Sequence, residues 1–347
     1  MIDMNNHVTI DDIAKKLNKS KGLVSLALSN KYGVSEETRS QIILEAIKMG
    51  YPLTKKKTNC SNKSNRKINI MLVFYSGMLM DDFYWARVVS SIEQALRQNK
   101  AIVSFMEWNT VDSSDAIVSL YRSECDGIII VGSPEIELLD QINSIGRPIV
   151  LVDSSCISCD YTQVKANNYT GGYLLANYLY NLGHRHICFF GDTSEEETLA
   201  QRKGGVARFL EKNERRGVQI DFLDAMLDEG SIEYCSVIQL RKYLGQKNRA
   251  TAMICANDAI AARAYEVIAE AGLKIPEDIS VVGFDNTKKC EWLSPKLTTA
   301  FVNIKKMGEI AVTLILQHVK EEESDHAHMQ IEIETSIVVR ESVRELI

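Results

Sequence analysis

Residues 8–30 read VTIDDIAKKLNKSKGLVSLALSN, and the spacing within this stretch decides what the head of the chain is. Thr9 followed three residues later by Asp12 is a capping-box start, in which a hydroxyl and a carboxylate satisfy the orphan amides of a new helix. Ile10, Ile13, Ala14 and Leu17 then recur on one helical face. Asn18 tolerates left-handed backbone, so Asn18-Lys19 reads as a tight turn. Ser20 caps a second helix whose apolar positions are Leu23, Val24, Ala27 and Leu28. Ser35 caps a third, with Glu36 and Glu37 in its first turn, an apolar stripe of Ile42, Ile43, Ala46 and Ile47, and Gly50 at its stop. Three short helices, the first two joined by a turn, predict a helix-turn-helix unit whose second helix enters the major groove of DNA. A small three-helix bundle with merely solvated charges fits the same spacing.

Charge separates these readings. The chain of 347 residues carries 40 Lys+Arg and 46 Asp+Glu, a net of −6 that argues against nucleic acid. Divided at residue 67 the number changes meaning. Residues 1–67 hold 13 basic and 6 acidic side chains, a net of +7, and the other 27 basic and 40 acidic side chains give −13. A basic head on an acidic body points to a polyanion-binding module joined to something else.

Within the head, Lys21, Gly22, Ser25 and Leu26 face outward at the start of the second helix. Lys21 can donate to guanine, and Leu26 can touch a thymine methyl. Thr9, Ser20, Ser25, Ser35, Thr38 and Arg39 suit phosphate oxygens, which position a protein on DNA without specifying sequence. Residues 51–67 (YPLTKKKTNCSNKSNRK) read as a polar basic linker, where Lys55, Lys56, Lys57, Lys63, Arg66 and Lys67 can grip phosphates.

From residue 68 short apolar strands alternate with amphipathic helices. Strands are predicted over 68–74, 101–107, 127–131 and 148–152, with helices near 84–98, 112–123 and 135–145 between them. A second round places helices over about 168–182, 198–212, 231–244 and 257–271, and strands over 186–191, 250–254 and 280–284. Such alternation predicts two doubly wound parallel sheets with a cleft between them, where ligands collect beyond the carboxyl ends of strands. Arg202 and Asp285 stand at such ends, able to hold vicinal hydroxyls, and Asn257 can both donate and accept. A cross-cleft ion pair is the structural alternative for Arg202 and Asp285. Asp258 reads as a helix N-terminal charge.

Other signals carry less. At roughly 100–200 residues per domain the length predicts two or three folding units, and 19 Gly and 5 Pro exclude collagen-like or wholly disordered chains. No apolar run approaches the ~18 residues of a membrane span. The first residues (MIDMNNHVTIDD) hold neither a basic nor an apolar leader segment. Eight Cys without a framework rhythm suit reduced thiols, so a cytoplasmic protein without a membrane partner is expected. Cys156 and Cys159 form an isolated C-x-x-C with no second pair for zinc, and His184, His186, His326 and His328 read as loop or turn residues, so no metal is expected. No dinucleotide-binding glycine pattern, phosphate loop or nucleophile elbow occurs, so neither cofactor nor catalytic role is expected.

The run VTIDDIAKKLNKSKGLVSLALSN…VSEETRSQI…MGY resembles the head of the LacI/GalR family of transcription regulators. The body is similar to that family's effector region, itself like a periplasmic sugar-binding protein. It carries Asn167-Asn168…Gly172, Leu182-Gly183-His184-Arg185, Arg202-x-x-Gly205, Ala256-Asn257-Asp258, IPEDISVVGFDN at 275–286 and Pro295-x-Leu297-Thr298-Thr299. The resemblance spans nearly the whole chain. It implies an all-α helix-turn-helix domain at 1–50, a hinge at 51–67 and a two-lobed α/β effector domain at 68–347. One lobe is expected over about 68–166 and 296–328, the other over about 167–290 and 329–347. It also implies a homodimer on operator DNA, repression, and an effector, a sugar before a sugar phosphate or nucleoside, held by Arg202, Asn257 and Asp285. Tyr84 and Trp85 match the family's aromatic pair at the cleft mouth, and Trp292 lies in a loop near it; core packing is the alternative for each. Departures are present too. Leu23, Leu26 and Asn18 stand where the family usually has Thr, Arg and Gly, leaving fewer hydrogen bonds to bases. The family's Ala-x-x-Leu hinge pattern, which folds on DNA and wedges a Leu into the minor groove, is missing from 54–67. A solute-binding transport protein shares the two-lobed body and is the rival reading.

Overall fold

The computed structural model describes residues 8–53, 66–75, 83–108, 113–154, 161–191, 197–225, 227–228, 231–232, 234–321 and 328–346. Lys55, Lys56, Lys57, Lys63, Cys156, Cys159 and His326 lie outside them.

Three helices form the head: α1 (Ile10–Lys16), α2 (Lys21–Leu28) and α3 (Glu36–Lys48). Each begins on the cap its sequence predicts. The Thr9 amide donates to Asp12 at 2.9 Å while Thr9 Oγ1 accepts from the Asp12 amide, and Ser20 and Ser35 accept from the Leu23 and Thr38 amides. The turn at Asn18 is left-handed, with φ of +52°. Ile13, Val24, Ile42 and Ile43 close the small core between the helices.

In the first lobe, β1 (Asn69–Tyr75), α4 (Phe83–Gln98), β2 (Ile102–Trp108), α5 (Ser113–Arg122), β3 (Gly127–Val131), α6 (Ile136–Asn143), β4 (Ile149–Val152) and β5 (Thr162–Ala166) follow in order. The second begins with α7 (Asn168–Asn181), β6 (His186–Phe190), α8 (Glu197–Asn213), β7 (Gln219–Leu223) and a short hairpin of β8 (Leu227–Asp228) and β9 (Ser231–Ile232). It continues through α9 (Tyr234–Leu244), β10 (Ala252–Cys255), α10 (Asp258–Glu270), β11 (Ser280–Phe284), α11 (Lys289–Trp292) and β12 (Thr298–Phe301). The chain ends with α12 (Ile304–Lys320), β13 (Gln330–Ile333) and β14 (Ser336–Val338).

Each lobe is built on a six-stranded sheet, ordered β13-β5-β4-β3-β1-β2 in the first and β14-β12-β11-β10-β6-β7 in the second. Within these two sheets all pairings are parallel except β12 with β14. Helices cover the sheets, so runs such as GIIIV in β3 and IVLV in β4 are buried along their whole length.

The lobe boundaries move relative to the sequence reading. Residues 298–301, expected in the first lobe, form β12 beside β11 in the second sheet. Helix α12 then packs on α4 and the first sheet. Residues 329–347, expected in the second lobe, divide at Glu334-Thr335. Their first strand, β13, pairs with β5 in the first sheet, and their second, β14, pairs with β12 in the second. The chain therefore crosses between lobes three times, after β5, β12 and β13. The alternation of Ile331-Glu332-Ile333-Glu334 stops at Thr335-Ser336, but nothing local names the sheet that each half joins.

Candidate functional site

The outer face of the head carries Lys21, Gly22 and Ser25, all exposed, with Leu26 half-buried beside them. A Cβ on Gly22 would meet nothing within 4 Å, so this side of the helix is open ground for a close backbone approach. Lys21 Nζ lies 3.0 Å from Asp11, an exposed pair that a phosphate or base can replace at little cost. Thr9, Ser20 and Ser35 are exposed and act as helix caps, and Thr38 accepts the Ser35 hydroxyl proton at 2.8 Å. Tyr32 projects fully into solvent between α2 and α3, and no spacing argument singles it out.

Arg39 does not belong to this face. It is 4% exposed, and its guanidinium donates to the carbonyls of Leu26, Ala27 and Lys31 at 3.3, 2.9 and 2.6 Å. The end of α2 leaves carbonyls without helical partners, and Arg39 supplies those donors. Its expected phosphate contact is replaced by a clamp between α3 and α2.

A second concentration of polar groups lies between the lobes. Arg202, on α8, donates from Nη2 to Asp285 Oδ1 at 2.9 Å, from Nη1 to the Ala256 carbonyl at 2.7 Å, and from Nε to Asn168 Oδ1 at 2.9 Å. Its guanidinium lies 3.8 Å above the centre of the Phe284 ring. Helices α7 and α8 must approach closely to place it. A Cβ on Gly172 would come within 2.0 Å of the Arg202 carbonyl, so only glycine fits there. Asp285 leaves the end of β11 with φ of +100°, a conformation that L side chains rarely adopt and that clusters at functional sites.

From the first lobe, the Tyr84 hydroxyl donates to Asp153 Oδ2 at 2.7 Å, and Tyr84 meets Trp85 edge to face at 5.2 Å. Burial pushes the Tyr84 phenol well above its ordinary value, with the Asp153 and Asp285 carboxylates adding to the rise. Burial likewise raises the Asp153 carboxyl, opposed by the Tyr84 hydrogen bond and the Arg202 and Lys165 charges. Charges of one lobe thus act on groups of the other. Arg87, on α4, bridges them directly by donating to the Asn286 carbonyl at 2.9 Å. The hydroxyls of Ser154, next to Asp153, and Thr335, at the third crossing, are buried without partners among the described residues. Such orphans mark polar positions that a ligand or water completes.

Other expected residues sit differently. Asn257 is half-buried and spends its side-chain oxygen capping α10, accepting from the Ile260 amide at 2.8 Å, which leaves its NH2 group to donate. Asp258 is fully buried and more than an N-terminal charge. It accepts from the Thr287 amide at 2.6 Å and the Thr299 hydroxyl at 2.7 Å, tying down the loop that carries Asp285. Trp292 is 66% exposed on α11, so it is not packed in the core. Asp153 and Asn168 were missed because a lone Asp or Asn after a strand has no distinguishing spacing. Among the described residues, no group of three His, Cys, Asp or Glu could hold a metal, and no helix is long and apolar enough to cross a membrane.

A family model of the periplasmic binding protein-like domain matches residues 176–343. The HTH-type transcriptional repressor PurR of Salmonella paratyphi B is 28% identical over 345 residues, covering 96% of each chain. Among solved structures, the complex of the transcriptional regulator CelR with cellobiose superposes with a TM-score of 0.69 at 21% identity, over 97% of this chain and 100% of that one. The lac repressor dimer bound to operator and the anti-inducer ONPF gives 0.66 at 22% identity, over 98% and 100%. These two share the fold, head included.

Proposed function

We infer that this chain, which belongs to the LacI/GalR family of transcription regulators, is a ligand-responsive repressor that reads operator DNA with its head and binds an effector between its lobes. The observation that carries the reading is the presence in one chain of the exposed Lys21-Gly22-Ser25 face and the buried Arg202–Asp285 cluster. A transport protein has no use for the first, so the solute-binding alternative is set aside. The reading also takes the chain as a cytoplasmic binding protein rather than an enzyme, in keeping with relatives that are regulators.

The reading is of a homodimer. One head reads a half-site, and two heads read a palindrome. Strand β2 ends the first sheet and leaves Ile102 and Phe105 about half exposed, an apolar edge that a second copy would cover.

The proposed effector is a neutral polyhydroxyl molecule, a sugar before a sugar phosphate or nucleoside. Arg202 is already paired with Asp285, and Asp153 adds a second carboxyl, so the charge balance of this cluster favours a neutral ligand over an anion. Paired carboxylate and guanidinium instead match vicinal hydroxyls, each of which donates and accepts. Trp85, only partly buried, supplies the apolar face on which a sugar ring rests, with the buried Tyr84 packed against it edge to face.

Two measurements test this reading. The protein should retard sheared genomic DNA, and Lys21→Glu should abolish the retardation without lowering the melting temperature. A thermal-shift screen with ribose, cellobiose, a phosphorylated sugar and a nucleoside should raise the melting temperature with a neutral sugar. Failure of the wild-type protein to bind DNA would sink the regulator reading; a response only to the phosphorylated sugar would sink the sugar reading.

A further inference from the structure

The head is seated on the body. The Tyr121 hydroxyl, at the end of α5, donates to the Leu28 carbonyl at 2.9 Å, reaching the last residue of α2. Arg122, next in the chain, pairs with Glu36 in the first turn of α3. On the neighbouring loop after α6, the Ser144 carbonyl accepts from the Leu53 amide at 3.3 Å, and Leu53 is 3% exposed. Tyr121 and Leu53 belong to one apolar cluster that runs without a break from Ile13, Ile42 and Ile43 of the head to Ile117, Leu139 and Ile145 of the first lobe.

The platform is itself braced. Arg147, just before β4, donates to the carbonyls of Leu120, Tyr121 and Ser123 at 3.0, 3.1 and 2.6 Å, so it holds the end of α5 that carries both head contacts. A helix terminus on a surface frays unless its carbonyls find donors. Here one half-buried fork fixes the terminus that touches the head.

Two further facts decide what the seat does. Lys21, Gly22 and Ser25 stay exposed while the head is docked, so the reading face is turned away from the body and the contact is compatible with DNA. The sequence from 54 to 67 contains no Leu or Ala, and the nearby Leu53 is already committed to the first lobe. Another means of orienting the head is therefore needed, and the seat provides one.

We propose that the α5–α6 surface of the first lobe is a docking platform for the chain's own head, fixing the orientation of the reading helix through Tyr121, Arg122 and Leu53. Motion of the first lobe is then carried to the head as a rigid unit. The docking is independent of what the head binds; its consequence for DNA rests on the function proposed above.

Hydrogen exchange on the full-length protein without DNA tests the docking. Tyr121→Phe removes one hydroxyl and no charge, and Arg122→Glu reverses one partner of the ion pair. Each should speed exchange of the amides at 28–42 by about threefold to tenfold and leave peptides from β10 and β11 unchanged, because local opening is read segment by segment. Adding Glu36→Arg to Arg122→Glu should restore slow exchange. Unchanged head exchange in both single variants, or no restoration by the charge swap, overturns the proposal. In a filter-binding assay with sheared genomic DNA, Tyr121→Phe should weaken binding about threefold, since a freely turning head loses a pre-set orientation. Tighter binding by Tyr121→Phe would make the seat an inhibitory park and overturn the orienting role. Absence of DNA binding by the wild-type protein would strike the proposed function and leave the exchange result standing.

Discussion

Arg202 and Asp285 form a two-pronged ion pair, Nη2 to Oδ1 at 2.9 Å and Nη1 to Oδ2 at 3.5 Å, with each residue 5% exposed. A charge pair so far from solvent is compensated only while both partners remain. Removing one leaves the other buried and uncompensated, at about 3–5 kcal/mol, whereas replacing both by apolar residues is often nearly neutral. Arg202→Met and Asp285→Asn should each lower the melting temperature by several degrees, and Arg202→Met with Asp285→Leu should recover part of the loss. All three should lose the thermal shift given by the effector. Calorimetry with and without ligand checks both, and a stable Asp285→Asn that still binds a sugar would remove Asp285 from the site.

Arg39 and Lys21 make a contrasting pair in the head. Both are basic residues that spacing assigned to DNA, yet one is buried in carbonyls and the other is exposed. Arg39→Ala should destabilise the head by about 2–4 kcal/mol, the scale for breaking a buried network of charged hydrogen bonds. It should weaken DNA binding only through that unfolding. Lys21→Ala should leave stability unchanged and, if the side chain sits on a phosphate, lower the slope of log affinity against log salt by about 1. Hydrogen exchange over the head and a salt titration separate the two effects.

That contrast shows what sequence can and cannot supply. The caps at Thr9, Ser20 and Ser35, and the strands of Ile and Val, are local: their physics acts within a few residues, and they were legible. Arg39 was misread because its partners, Leu26, Ala27 and Lys31, are set by how α3 crosses α2. Strand β5 (TQVKA) is buried throughout although three of its five residues are polar, so apolar patterning passed over it. The Arg202–Asp285 pair was visible as an alternative to ligand binding. Its partner Tyr84–Asp153 bond joins residues 69 positions apart, which no spacing rule connects.

The edge strand β2 gives a prediction about assembly. Ile102 is 47% and Phe105 49% exposed, and β2 has a neighbour, β1, on one side only. A charged side chain on such an edge opposes pairing with a second copy. Phe105→Asp should shift the sedimentation profile from dimer toward monomer while leaving the melting transition of the second lobe intact. DNA binding should fall steeply in the same variant, because two linked half-site contacts become independent. A Phe105→Asp protein that sediments as a full dimer would place the dimer interface elsewhere.

His184 provides the pH test. Its ring is buried, with Nδ1 2.9 Å from the Thr251 hydroxyl and Nε2 3.1 Å from the Arg344 carbonyl, so the neutral form with its proton on Nε2 fits, donating to that carbonyl. Burial holds the imidazole below its ordinary value of 6.5, with the nearby positive charges of Arg344 and Arg185 acting in the same direction. The unfolded chain therefore binds a proton at a higher pH than the folded one. Stability from this group is fully present above pH 6.5 and is lost as the pH falls from there toward the depressed folded value. The melting temperature should drop between pH 7.5 and 5.5. His184→Gln, which keeps a donor and an acceptor but cannot titrate, should be less stable at pH 7.5 and show a flatter pH dependence. The Asp221 carboxyl, held low by Tyr243 and His186 against its own burial, adds a separate acid loss only below its ordinary value of 3.8, outside this window. Equal slopes for wild type and His184→Gln between pH 7.5 and 5.5 would mean that another group carries the effect.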